Sequence, residues 1–369
     1  MYSQQELDDA IASGAISADA AGALRAHIES QRATAIPDEE QFRLITGFND
    51  IFVSVAAAIL LFAVGFIGQR IGIAAGFAIE PEGPTFLGPL LVAITAWGLA
   101  LYFTAKRRMA LPSILLLLAF SGGVLLASAF GLILAIGPDV LTDNPQGSGA
   151  VGAIAAAIAA AATWVHWRRF RVPITVAVGA AAVAGIAVSL LVAALGESVE
   201  TARDIILGFV LMLGIGVFLF AMWWDSSDRA RLTRRSDVAF WLHLLAAPMI
   251  VHPVFTLLGL NDGDATIMEG VVVILIYVAI GVTALAIDRR ALLVSALAYV
   301  LWALSDLFKR FGAVELNVAL TALIIGSALL LLSAFWHQAR GAVVKPLPES
   351  LRERLPLINL PAVVTQPAA

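Results

Sequence analysis

The sequence contains no cysteine and few charged residues. None of its 369 residues is Cys, and 14% are Asp, Glu, Lys or Arg. Without cysteine, the chain forms no disulfides, thiolate nucleophiles, iron–sulfur clusters or Cys-ligated zinc sites. The charged fraction is well below the roughly 25% of soluble domains. The net charge of −4 gives no basic footprint for nucleic acid, which we exclude as a partner.

Apolar sequence is what the chain has in excess. Hydrophobic residues make up 60% of it, and the mean hydropathy is +0.91, whereas soluble domains are roughly 45–50% apolar. The apolar runs are long and unbroken, unlike the alternating segments of about ten residues in outer-membrane barrels. The sequence therefore predicts an all-α fold, namely a polytopic transmembrane helical bundle. Its predicted partner is the lipid bilayer in which it is embedded.

Ten segments reach the roughly 20 apolar residues that a helix needs to cross the hydrocarbon. They are approximately 51–68, 85–104, 111–136, 149–167, 172–194, 203–224, 238–258, 267–287, 291–307 and 315–336. With a cytoplasmic N-terminus, the 23 Lys and Arg residues fall in six inner segments, except Arg70, Arg203, Lys309 and Arg310. Cytoplasmic loops carry an excess of Lys and Arg, so both termini are predicted to be cytoplasmic.

Three regions follow from this count. Residues 1–50 are predicted to be a cytoplasmic helical hairpin, in which Gly14 ends one helix and Ser17 caps the next, plus an interfacial helix. Residues 51–336 form the ten-span transmembrane domain. Residues 337–369 contain five prolines and are predicted to be a cytoplasmic, largely disordered tail, apart from a short amphipathic piece at 350–355.

Asn49 and Asp50 enter the first span from the cytoplasmic side and form a candidate cytoplasmic interface. An acid before a helix N-terminus complements the helix dipole. The alternative is that this pair contacts a basic inner loop or acts as a gate.

The segment FWLHLLAAPMIVHPVF (240–255) holds the richest polar set within a predicted span: His243, Pro248, His252 and Pro253. Each proline removes the hydrogen bond to the carbonyl four residues earlier. We expect this broken seventh span to line a cavity or substrate site. The two histidines are nine residues apart, which places them on opposite faces and about 13 Å apart along the axis. We therefore predict no shared metal.

Two interpretations of each histidine remain open. His252 lies at a depth that Glu269 of the next span approaches, and Asp306 is near it in topology. An imidazole bonded to a carboxylate can relay protons or bind a cation. The alternative is a structural bond to a freed backbone carbonyl. His243 lies closer to the cytoplasmic side, where the structural reading is favoured, and His166 is expected to be solvated at the interface.

The sequence contains no Ser/His/Asp set, HExxH motif, Walker loop or GxGxxG motif, so we expect neither an enzyme nor a bound cofactor. No span carries Arg, Lys or Asp at its centre. Ion-coupled carriers usually have such a residue. The absence of such a residue therefore argues against an ion-driven mechanism. It is compatible with an uncharged or lipid-like substrate.

Three segments carry a resemblance: LDDAIASGAISADAAGALRAHI (7–28), DEEQFRLITGFNDIF (38–52) and FWLHLLAAPMIVHPVF (240–255). They resemble segments of uncharacterised multi-pass inner-membrane proteins of bacteria, of the domain-of-unknown-function type with a short cytosolic helical hairpin. The resemblance implies the bacterial cytoplasmic (inner) membrane as the compartment. It implies no activity.

Two function hypotheses remain. The first is a non-catalytic membrane protein that scaffolds or regulates a complex, with a protein partner bound through residues 1–50 or a homo-oligomer. The second is a permease for a neutral or amphipathic solute, with the seventh span lining the path and His252 as its polar contact.

Overall fold

A computed structural model of the chain describes residues 11–23, 48–229, 231, 233–259, 267–290, 292–293, 297, 301 and 317–356. For residues 267, 269–270, 317–318 and 320–321 it describes the backbone alone. The chain divides into two compact units, Met1–Phe42 with Leu357–Ala369, and Arg43–Pro356. Within the described residues the regular elements are helices, and the β-pairing is one isolated bridge between Ala78 and Thr85.

Of the first unit, residues 11–23 are described. Residues 18–23 are helical, and the Ser17 hydroxyl accepts a hydrogen bond from the Ala20 backbone N–H at 3.1 Å. Gly14 has φ +71° and its N–H bonds the Ile11 carbonyl. The predicted cap at Ser17 and the predicted helix stop at Gly14 are confirmed.

The described helices of the second unit follow the apolar runs of the sequence. They are α1 Phe48–Ala74, α2 Leu87–Phe103, α3 Ala110–Ile136, α4 Pro138–Leu141, α5 Pro145–Phe170, α6 Ile174–Leu195, α7 Arg203–Ser226, α8 Arg234–Leu257, α9 Ile267–Ile287, α10 Asn317–Ala334, α11 Trp336–Val344 and α12 Glu349–Arg352. Nine of these coincide with predicted spans to within a few residues. The predicted span 291–307 lies mostly outside the described residues.

Six of the described helices are long and apolar enough to cross a membrane: α1, α3, α5, α6, α7 and α8. A seventh is added if residues Ala322–Ala334 and α11, which meet at a bend of 74°, form one span. Helix α2 and residues Val271–Ile287 of α9 are apolar but shorter. The multi-pass helical class therefore stands, whereas the count of ten spans is not confirmed.

Consecutive helices pack against each other, α1 with α2, α2 with α3, α5 with α6 and α7 with α8, and α3 packs on α5 while α6 packs on α8. The outward faces are apolar. Phe62 on α1 is 76% exposed and Leu330 on α10 is 74% exposed. Exposed apolar surface of this extent is stable in lipid rather than in water.

Glycines allow the closest helix contacts. A Cβ on Gly149 of α5 would lie 2.5 Å from the Ala193 nitrogen of α6, and one on Gly214 of α7 would lie 2.9 Å from the Met249 carbonyl carbon of α8. Small residues let membrane helices approach to backbone contact. They fix α6 on α5, and α8 on α7.

Part of the predicted disordered tail is structured. Helix α11 begins at Trp336, and the Arg340 guanidinium donates to the Pro356 carbonyl at 2.8 Å. Arg229, which follows α7, donates to the carbonyls of Leu355 and Arg352. These bonds hold residues 336–356 on the helical unit, because the buried Arg340 and the half-buried Arg229 supply donors to the turn carbonyls. Residues 357–369 lie outside the described part.

Candidate functional site

A cavity of about 520 Å³ lies between α3, α5, α6 and α8. Helix α8 contributes Trp241, Leu244, Leu245 and Pro248, and α3 contributes Leu118, Ser121, Gly122 and Leu125. The walls from α5 and α6 consist mainly of small residues: Ala156, Ala159, Ala177, Ala181, Ala182 and Gly185. The cavity is therefore almost entirely apolar.

The small residues explain why this space exists. Where Gly149 meets Ala193, the backbones of α5 and α6 are so close that a Cβ on Gly149 would lie 2.5 Å from the Ala193 nitrogen, whereas Ala156 and Gly185 already belong to the cavity wall. Nearer the other end of both helices, the cavity is lined by Ala159 of α5 and by Ala177 and Ala181 of α6. The sequence pattern of small residues thus provides close packing at one end and an apolar cavity at the other.

The described cavity wall contains two hydroxyl groups, those of Ser121 and Thr163. The Thr163 hydroxyl donates to the Ser121 hydroxyl oxygen at 3.0 Å, and both residues are buried. The Ser121 hydroxyl keeps a hydrogen of its own to donate. The wall can thus hydrogen-bond one oxygen atom of a bound molecule, while its remaining contacts are apolar.

His166 lies one helical turn beyond Thr163 and is fully buried. Its ring contacts Phe170 at 4.5 Å, Phe120 at 5.7 Å and Trp97 at 6.0 Å between centroids. Neither ring nitrogen has a hydrogen-bond partner in the described structure. The expectation that His166 is solvated was wrong, because α5 turns this face of its last turns toward the aromatic side chains of α2 and α3.

A second polar group lies at one end of α7 and α8. The His243 Nε2 is 3.0 Å from the Asp225 carboxylate, and the Arg289 guanidinium forms a two-point contact with the same carboxylate. Arg289 also donates to the backbone and side-chain oxygens of Ser236, at 3.1 and 3.2 Å. A carboxylate only accepts hydrogen bonds, so His243 Nε2 carries the hydrogen. The three side chains are buried.

Asp288, which directly precedes Arg289 in the sequence, is the centre of a second network of hydrogen bonds and ion pairs. Its carboxylate accepts a bond from Arg231 at 2.7 Å and one from the Trp336 indole N–H at 2.6 Å, and the Arg340 Nε lies 3.8 Å away. Asp288 adopts φ +56°, a left-handed conformation that Asp tolerates better than most residues. Asp288 and Arg289 thus connect the end of α9 to α7, α8 and α11.

The predicted residues of the seventh span are placed as follows. His243 is buried and His252 is exposed on α8, as expected for opposite faces of one helix. Helix α8 continues through both prolines, so the span is not divided in two. Pro248 lines the cavity, and Pro253 is buried.

The other predicted residues do not converge on this site in the described structure. Asp306 and the side chain of Glu269 lie outside the described part. Asn49 is exposed and Asp50 is buried at the start of α1. The scaffold hypothesis depends on residues 1–50, of which 11–23 and 48–50 are described, and stays a prediction. Among the described residues, no group of three or more His, Asp or Glu side chains could hold a metal ion.

Sequence reasoning did not single out Asp225, Asp288 or Arg289. The only local signal was an Asp within the last turn of an apolar helix, in WWDSS, and an Asp directly before two arginines, in IDRR. Both could be read as ordinary loop charges. The ion pair between Asp225 and Arg289 joins residues that are 64 apart in sequence. No periodicity of the sequence reveals such a contact.

Comparison of the chain with protein-family models, with curated proteins and with solved structures finds no match. The resemblance to bacterial inner-membrane proteins accordingly stays a prediction, and functional interpretation rests on the site.

Proposed function

We propose that this protein is a multi-pass membrane permease that binds a neutral or amphipathic molecule in the cavity beside α8 and carries it across the bilayer. The observation that carries the proposal is the cavity itself, about 520 Å³ of space lined by Trp241, Leu244 and Pro248 of α8 against alanines of α5 and α6. Small-molecule sites are typically apolar cavities of about 300–1,000 Å³.

The lining determines the class of solute. In the described structure the cavity wall holds no charged side chain, and its hydroxyls belong to Ser121 and Thr163. An ion placed there would lose its hydration without a compensating charge, which is strongly unfavourable. An alkyl chain or a neutral ring system with one hydrogen-bonding atom suits this wall.

The buried charged side chains near the ends of α7, α8 and α9 form ion pairs with each other. Asp225 is paired with Arg289 and His243, and Asp288 with Arg231. These groups hold α7, α8 and α9 together rather than facing the cavity. They support a carrier whose helices are fixed at one end and which binds its cargo mainly by apolar contact.

The topology proposed with this function has ten spans, both termini in the cytoplasm and residence in a bacterial inner membrane. It is supported by the concentration of Lys and Arg on one side of the predicted spans. In this orientation Trp241 and Thr163 lie toward the cytoplasmic side of the cavity.

A lipid-movement assay tests the proposal. Glucosylceramide with an NBD group on its acyl chain is an amphipath without ionised groups, and its inner-leaflet fraction is protected from dithionite. Reconstituted protein should accelerate loss of that protected fluorescence. Ala181→Phe, which places an aromatic ring in the cavity, should lower the rate toward that of protein-free liposomes.

Val183→Phe is the matched control. Val183 is on the same helix, 59% exposed and outside the cavity, so the same aromatic ring should leave the wild-type rate unchanged. A wild-type rate equal to that of protein-free liposomes would contradict the carrier, and an Ala181→Phe rate equal to wild type would contradict the assignment of the cavity.

A further inference from the structure

A smaller groove lies at the junction of α10 and α11, away from the cavity beside α8. Its volume is about 170 Å³. Leu293 and Leu297 line it, together with Leu329, Leu332 and Ser333 of α10, and Arg290 and Trp336 also belong to the wall. The groove is smaller than a typical ligand pocket, so it accommodates part of an alkyl chain rather than a whole molecule.

Arg290 is the cation of this groove. Its guanidinium lies 4.9 Å from the centroid of the Trp336 ring. In the described structure no carboxylate lies within ion-pair distance of it, because Asp225 is taken by Arg289, and Asp288 by Arg231. Arg290 is also half-buried. Within the described part of the chain, the Arg290 charge therefore has no ion-pair partner.

The Trp336 ring fixes where that charge lies. The indole N–H donates to Asp288 at 2.6 Å, and Trp336 is 2% exposed. A guanidinium over an aromatic face keeps N–H groups available at its edge for a phosphate, which it can bind through two parallel hydrogen bonds. The position is preorganised for an anion.

The surroundings are those of a membrane interface. Residues Ala322–Ala334 and α11 meet at a bend of 74°, so the chain turns away from the axis of the apolar helix at Trp336. Leu330 and Leu331, next to the groove residues on α10, are 74% and 60% exposed. The groove thus combines a mainly apolar wall open toward lipid with the Arg290 guanidinium, which forms no ion pair among the described residues, at its end.

We infer that this groove binds an anionic phospholipid, with Arg290 contacting the phosphate group and one acyl chain lying against the four leucines. Charge complementarity selects an anionic lipid, since a basic residue near an anionic membrane surface contributes about 1 kcal/mol. That contribution corresponds to a roughly fivefold change in affinity. The site is independent of the permease proposal because it uses different helices.

Thermal unfolding of the full-length protein in detergent tests the inference. Dioleoyl phosphatidylglycerol should raise the melting temperature more than dioleoyl phosphatidylcholine at equal concentration. In Arg290→Gln, the phosphatidylglycerol concentration that gives half the shift should rise about fivefold, while the phosphatidylcholine response is unchanged. Arg290→Lys should keep part of the preference for the anionic lipid.

Arg168→Gln is the matched control, because Arg168 also lies over an indole ring, that of Trp164 at 5.1 Å, and does not line the groove. It should respond to phosphatidylglycerol as wild type does. Equal responses of wild type and Arg290→Gln would overturn the site, as would equal stabilisation by both lipids. Full stabilisation by inorganic phosphate alone would overturn the role of the acyl chain.

If Arg290→Gln does not fold, Leu329→Trp provides the test, since it fills the groove and leaves Arg290 in place. Loss of the phosphatidylglycerol preference in that variant supports the site, and an unchanged preference overturns it.

Discussion

Arg289 and Asp225 form a two-point ion pair within the helical unit, with side chains that are 3% and 1% exposed. The residues are 64 apart in sequence. His243 of α8 also hydrogen-bonds Asp225, and Ser236 of α8 accepts a hydrogen bond from Arg289. A buried ion pair is tolerated only with good geometry and additional hydrogen bonds. This one joins α7 and α8 to the end of α9.

The first prediction concerns the loss of this ion pair. Asp225→Asn removes the counter-charge that Asp225 supplies to the buried Arg289 guanidinium, and breaking a buried ion pair costs about 3–5 kcal/mol in comparable sites. We expect a clearly lower melting temperature in detergent. Asp204→Asn, at the exposed start of the same helix, should change it little. Equal melting of Asp225→Asn and wild type would show that the pair does not stabilise the fold.

The second prediction is that replacing the two fully buried histidines, His166 and His243, has opposite effects on stability. His166 has no hydrogen-bond partner in the described structure and is surrounded by aromatic rings, so His166→Phe removes an unsatisfied polar group that costs about 1–3 kcal/mol. We expect a melting temperature at or above that of wild type. His243→Phe, which removes the bond to Asp225, should lower it. A marked loss of stability in His166→Phe would contradict this account.

The third prediction concerns backbone contact between α7 and α8. The added Cβ of Gly214→Ala would lie 2.9 Å from the Met249 backbone, whereas nothing lies within 4 Å of a Cβ on Gly216. Gly214→Ala should therefore destabilise the protein. Gly216→Ala should be neutral or stabilising by up to about 1 kcal/mol through helix propensity. Thermal melting of the two variants side by side checks this, and the reverse order would show that the helices are further apart.

The fourth prediction concerns topology. The chain has no native cysteine, so a single introduced thiol reports its own side of the membrane. Ser198, before α7, and Ser227, after it, are both exposed. With cytoplasmic termini, Ser198→Cys should react with a membrane-impermeant maleimide in intact cells, and Ser227→Cys only after lysis. The opposite pattern would invert the orientation, and equal labelling would deny that α7 crosses the bilayer.

The positions of the helices could be predicted from the sequence because each is set by a local property. Apolar runs defined α1 and α3 within a few residues, and Ser17 and Gly14 marked a helix start and stop through hydrogen bonds within four residues. The sequence did not predict the helix over residues 336–344. Its stabilising contacts, such as those of Arg340 with Pro356 and of Trp336 with Asp288, are tertiary.

The candidate site was predictable only in part. Proline content drew attention to α8, and Pro248 lines the cavity. The cavity itself depends on which faces of α3, α5 and α6 meet, and helices that are apolar all round do not encode this in their hydrophobic pattern. The pairing of Asp225 with Arg289 likewise depends on how α7 and the end of α9 are placed relative to each other.

The most direct test of the central claim is photolabelling of the purified protein in lipid nanodiscs with a long-chain alcohol that carries a diazirine on its chain. We expect labels on residues 118–125, 177–185 and 241–248, and we expect them to be suppressed by Ala181→Phe and retained in Val183→Phe. Labels confined to outward residues such as Phe62 and Leu330, and unchanged by Ala181→Phe, would contradict the claim that the cavity beside α8 binds an amphipathic solute.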